Sequence, residues 1–221
     1  MARAKLPRKS TIIDMTAMCD VAFLLLTFFI LTTKFKPDEA LTVVTPKSVS
    51  TNPAEQKDVV LITMDKDGLV YFSVSDDAME EKESIINEVD QVKSLGLTDD
   101  EKKAFRRAGS YVGVPFNQLK SYLQKSAKEL SSLQVTGIPV KDTLNNELQV
   151  WIRAAVGAFQ GGKMNIMLKG DNEAKYESFK GVLTALKRNE QLKFQLITDP
   201  EGVPAGTELY KTINAPRTAA Q

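Results

Sequence analysis

One carboxylic acid in this sequence stands where an acid is costly. Asp20 lies inside the apolar stretch Ile12–Thr33, IIDMTAMCDVAFLLLTFFILTT, which carries no charge from Val21 to Thr33. An aspartate deep in a membrane span costs about 2.5–3.5 kcal/mol on insertion scales. A carboxyl there is retained for work, and the work it suits is taking up and giving back a proton. A dehydrated setting favours the neutral carboxyl form, while water or a polar partner on one side favours the charged one. An acid so placed can be loaded from one side and unloaded to the other.

Helix geometry says which side chains accompany it. At about 100° per residue, Thr16 lies roughly 40° from Asp20 and Thr27 roughly 20°. Thr16, Asp20 and Thr27 therefore form a narrow polar stripe on a helix otherwise built of Leu, Phe, Ile, Val, Ala and Met. Threonine hydroxyls can donate to or accept from a carboxyl group. The stripe suits a surface facing partner helices or a proton path, and it is badly placed against lipid. Asp14 sits about 120° around the helix and roughly 9 Å further towards the N-terminal side. It reads as an interfacial residue or a helix-start signal, with proton uptake as the minor option. Cys19 reads as a small apolar packing residue.

The element that must position these groups is a single membrane-spanning helix over 12–33. At about 1.5 Å per residue its 22 residues cover roughly the 30 Å hydrocarbon core. Arg3, Lys5, Arg8 and Lys9 precede it, whereas Lys34 and Lys36 behind it are soon offset by Asp38 and Glu39. The positive-inside rule places residues 1–11 in the cytoplasm and everything after the span on the far side. A cleaved export signal is the competing reading. No small-x-small site follows Leu31, however, and a disposable signal gains nothing from an acid in its middle.

Composition excludes several other chemistries. Lys and Arg total 29 against 28 Asp and Glu, so no polyanionic partner such as nucleic acid is indicated. The chain contains no histidine, which removes the commonest general base and metal ligand. A lone cysteine builds neither a disulfide framework nor a thiolate metal site. No catalytic, cofactor-binding or metal-binding set is expected. Gly157 to Lys163 satisfies G-x-x-x-x-G-K, but Met164 follows where a Mg²⁺-ligating Ser or Thr belongs. Its expected order, helix before and strand after, is also the reverse of a phosphate-binding loop.

Beyond the span the sequence reads as an α+β domain. Residues 34–57 form a Pro-, Ser- and Thr-rich linker able to run semi-extended or to pair as an edge strand. Val59–Met64, the turn Asp65-Lys66-Asp67-Gly68 and Leu69–Val74 predict a β-hairpin opening a domain over 58–200. Residues 78–160 read as a helical insertion. It has helices over Met79–Lys93, over a short stretch capped by Thr98 and Glu101, over Phe116–Leu133 and over Asp142–Phe159. Met164–Asp171 predicts a strand ending in a polar turn, Tyr176–Asn189 a helix and Leu192–Thr198 a last strand. The tail over 201–221 is expected to be irregular.

The run Ile13-Asp14-Met15-Thr16-Ala17-Met18-Cys19-Asp20-Val21, with its apolar continuation, resembles the start of the ExbD/TolR family. That family opens with a pattern close to I-N-V-T-P-[FL]-[IV]-D-V. Thr16 and Asp20 match the family's threonine and essential aspartate. Asp14 stands where the family has Asn, and Ala17 where it has Pro. Lys169-Gly170-Asp171, the turn after it and the helix from Tyr176 resemble the closing part of the family's domain. The resemblance implies a proton-channel or stator subunit of an inner-membrane motor in a Gram-negative bacterium. It further implies a dimer of this chain inside a pentameric ring of ExbB/TolQ-type subunits, energising outer-membrane transport through a TonB-type protein. A Tol–Pal-type envelope-maintenance motor is the alternative. A MotB-like structural tether also has one span and one acid, but the OmpA-type peptidoglycan motif that it predicts is not found in the sequence.

Overall fold

The computed structural model describes residues 15–32, 41, 43–49, 57–107, 109–126, 129, 135–141, 145–159, 164–207 and 210. The chain divides into two compact units, residues 1–38 and residues 39–221. In the first, helix α1 spans Met15–Thr32, is apolar and long enough to cross a membrane, and buries none of its residues.

The second unit is a mixed helix-and-sheet domain. Strands β2 (Val59–Met64) and β3 (Val70–Val74) form the expected hairpin, with Ile62 opposite Phe72. In the turn Gly68 has φ +80°, a conformation that glycine adopts without cost. The buried Ser178 hydroxyl donates to the Gly68 carbonyl at 2.6 Å, and a Cβ at Gly68 would collide with that hydroxyl. The turn is thus fixed from a helix 110 residues away.

Helices α2 (Met79–Lys93) and α3 (Asp99–Arg106) follow. The capping box expected at Thr98 is present: the Thr98 N–H donates to Glu101 at 2.8 Å, and the Glu101 N–H to Thr98 Oγ1 at 3.4 Å. Next come β4 (Tyr111–Val112), α4 (Phe116–Leu123) and α5 (Leu148–Ala158). Strand β5 (Asn165–Gly170), helix α6 (Tyr176–Arg188) and strand β6 (Gln195–Ile197) close the sheet. Its order is β4-β3-β2-β5-β6, antiparallel across β4, β3 and β2 and parallel across β2, β5 and β6. The central strand β2 is almost uniformly apolar, and five of its six residues are buried. Separately, β1 (Lys47–Ser48) pairs in parallel with β7 (Asp199–Pro200).

Residues 78–160 are not helical throughout. They contribute β4 to the sheet and an extended run over 135–140 whose Ile138 N–H donates to the Val70 carbonyl. Two expected helices are shorter than their apolar periodicity suggests. The helix from Phe116 stops at Leu123; Ala127 and Leu130 lie outside the described residues. The Ser126 N–H and hydroxyl both donate to Glu129 at 2.8 Å. The helix expected from Asp142 begins at Leu148. Asn146 is drawn out of it, donating through Nδ2 to the Val140 and Gly181 carbonyls, and the Glu147 N–H donates to Pro139. The last strand is likewise confined to Gln195–Ile197.

A single core lies between the sheet and α2, α5 and α6. Val60, Ile62, Phe72, Ile166 and Leu168 meet Ile85, Ile86, Val89, Trp151, Ile152, Val182 and Leu186. Lys82 is also buried, at 1% exposure, and its ammonium reaches Asp76 at 2.6 Å.

Candidate membrane proton site

Thr16 and Asp20 stand exposed on α1, and Thr27 is half-buried. Asp14 lies outside the described residues. The helix surface around the acid is apolar: Met18, Val21, Phe23, Leu24 and Leu25 are all more than half exposed. No other Asp, Glu, Lys or Arg occurs in Met15–Thr32, so this helix itself provides no countercharge to Asp20.

Helix geometry gives the stripe a further property. Thr16 lies one turn below Asp20, roughly 6 Å along the axis, while Thr27 lies about 10 Å above it. Thr27 is therefore too far along the axis for a direct hydrogen bond to the carboxyl. Its hydroxyl donates instead to the Leu24 carbonyl at 2.9 Å, as Thr32 donates to Phe28 at 2.8 Å. Back-bonding of this kind is how a hydroxyl is satisfied on an apolar helix. It leaves the Thr27 oxygen as an acceptor on the same side of the helix as Asp20.

In the domain, the clearest polar arrangement is at the C-terminal end of β5. Asp171 accepts the Val44 N–H through Oδ2 at 3.0 Å and the Glu173 N–H through Oδ1 at 2.9 Å. Those two N–H groups, Glu173 first, hold its carboxyl below the ordinary carboxylate value. In the sequence Asp171 falls in the polar turn that ends a strand, and an Asp between a strand and a helix signals an Asx turn. The glycine-rich stretch is no phosphate loop at its start, because Gly157 lies in the last turn of α5 and β5 follows. Among the described residues, no three His, Cys, Asp or Glu side chains come together to hold a metal ion.

The family model for biopolymer transport protein ExbD/TolR matches residues 7–201, most of the chain. The chain belongs to the ExbD/TolR family. The match runs through the acid-bearing helix, the 78–160 stretch and the closing β5–α6–β6 unit alike, a wider span than the two patches of sequence resemblance. Membership makes this a biopolymer-transport, energy-transduction subunit of a family that works with membrane partner proteins. Comparisons with curated proteins and with solved structures give no match.

Proposed function

We propose that this ExbD/TolR-family chain is the proton-bearing subunit of an inner-membrane motor, and that it is not an enzyme. Asp20 takes up and releases the proton that couples the proton-motive force to movement of the domain over 58–200. The observation that carries the reading is the placement of one carboxyl on an otherwise apolar helix whose surface offers it no countercharge. Such a residue is supported only by protein or water packed around it. A ring of ExbB/TolQ-type subunits enclosing a dimer of this chain would supply that surroundings. The membrane potential supplies about 2.3 kcal/mol per charge per 100 mV, enough to bias each loading step. The output is energised outer-membrane transport through a TonB-type partner. The basic residues ahead of α1 support a cytoplasmic N-terminus and a periplasmic domain.

The test is Asp20→Asn, which keeps size and hydrogen bonding but cannot release a proton. We expect it to insert, to assemble with its membrane partner and to lose proton-dependent activity. Normal activity in the Asn variant would overturn the reading. Topology is tested separately with a reporter fused after residue 40. It should be active only on the periplasmic side, and cytoplasmic activity would reverse the orientation.

A further inference from the structure

Residues 43–49 are held against the domain almost wholly through their backbone. In chain order after α1, the first hydrogen bonds among described residues 41–49 are those of Val44. Its N–H donates to Asp171 Oδ2 at 3.0 Å, and its carbonyl accepts the Asn172 N–H at 2.8 Å. Two adjacent residues thus grip both polar backbone groups of one linker residue, and half of that grip is a carboxylate side chain standing in for a strand. Two residues on, the segment is paired a second time. The Asp199 N–H donates to the Pro46 carbonyl at 3.0 Å, Lys47 and Ser48 register with Asp199 and Pro200, and the Glu201 N–H donates to Ser48 at 2.9 Å. Thr45, between the two grips, is 6% exposed. Pro46 forms one wall of an apolar groove of about 280 Å³ shared with Met64, Ala174, Phe179 and Leu196.

Such a short parallel pair has little strength of its own, whereas a hydrogen bond to a charged acceptor is stronger than one between neutral groups. We infer that residues 43–49 are a strap which Asp171 clips to the end of β5, and that a pull on the linker enters the domain through this clip. Asp171 is a positioning residue in this scheme, handing load to β5 and α6 through the turn that its other oxygen caps. Only the use of the clip as a load path rests on the motor reading; the clip itself does not.

Two variants of the full chain in detergent micelles test it by residue-resolved hydrogen exchange. Val44→Pro removes the linker's N–H donor and leaves Asp171 with its own turn. We expect exchange at Asn172, Asp199 and Glu201 to accelerate by about tenfold or more, with Glu173 and Ile62 unchanged. Asp171→Ala should accelerate the same three amides and Glu173 as well. The clip is overturned if Asp199 and Glu201 exchange equally fast in the wild type and both variants. Activity then reads the load path. With Asp20→Asn inactive, normal activity of both clip variants would remove the load path and leave the motor reading standing. If Asp20→Asn is active, the motor reading and the load path fall together, and exchange still decides the clip.

Discussion

Trp151 on α5 stacks on Phe72 of β3 with ring centroids 5.4 Å apart and planes 30° from parallel. The same indole is flanked by Phe105 of α3 at 5.7 Å and Phe116 of α4 at 5.6 Å. One fully buried side chain therefore joins four elements, three of them from the stretch after the first hairpin. That stretch is built into the core of the domain and is no appendage to it.

Trp151→Ala should accordingly destabilise the whole domain. Removing a buried tryptophan costs about 3–5 kcal/mol. For a domain of this size that corresponds to a fall in Tm of roughly 6–20 °C. Trp151→Phe should cost much less, because Trp151 Nε1 has no hydrogen-bond partner to lose. Thermal unfolding of the full chain in detergent checks both. A Trp151→Ala domain that melts within a degree or two of the wild type would refute the shared core.

Thr27 separates a structural from a functional use of the α1 stripe. Because its hydroxyl already donates to Leu24, Thr27→Val removes a local helix bond and changes shape very little. If the stripe carries protons past Asp20, this variant should lower proton-dependent activity by about tenfold, and Thr27→Ser should restore it. Thr32→Val removes an equivalent back-bond to Phe28 about 120° around the helix, and should leave activity unchanged. Equal effects at Thr27 and Thr32 would show that only helix stability was read.

Local chemistry made much of this fold legible in the sequence, and long-range contacts account for the rest. The Gly68 turn, the Thr98–Glu101 box and the apolar stripe of α2 are encoded within a few residues, and each appears where the spacing puts it. In the sequence Ile85, Ile86, Val89 and Val92 share one side of α2, yet Val92 is 46% exposed, two residues before Ser94 turns the chain with left-handed φ. In the sequence Tyr176, Phe179, Val182, Leu183 and Leu186 share one side of α6, but Tyr176 is 71% exposed. The buried face runs instead through Ser178, Gly181, Val182, Ala185 and Leu186. Gly181 belongs there because a Cβ would collide with the Val140 carbonyl, a contact that no periodicity can report. The bond between Asp171 and Val44 spans 127 residues, and neither residue announces the other. On α1 the acid and its threonines were legible because a span tolerates so few polar side chains.

Glu101 makes the domain's stability depend on acid pH with a definite sign. Desolvation pushes its carboxyl up, but the Thr98 N–H, the Gln124 amide, nearby Lys120 and the Thr98 hydroxyl together outweigh it and hold it below the ordinary 4.5. The folded state thus favours the carboxylate more than the unfolded state does. The resulting stability is present above about pH 4.5 and is lost as pH falls through the lower folded value. Glu101→Gln keeps an acceptor for Thr98 but has no charge to protonate. The variant should be less stable than the wild type at pH 7, and the two should converge as pH falls below 4.5. Urea midpoints of the full chain in detergent between pH 3 and pH 7 measure this. Parallel curves across that window would mean that Glu101 contributes shape alone, and that the cap at α3 owes nothing to its charge.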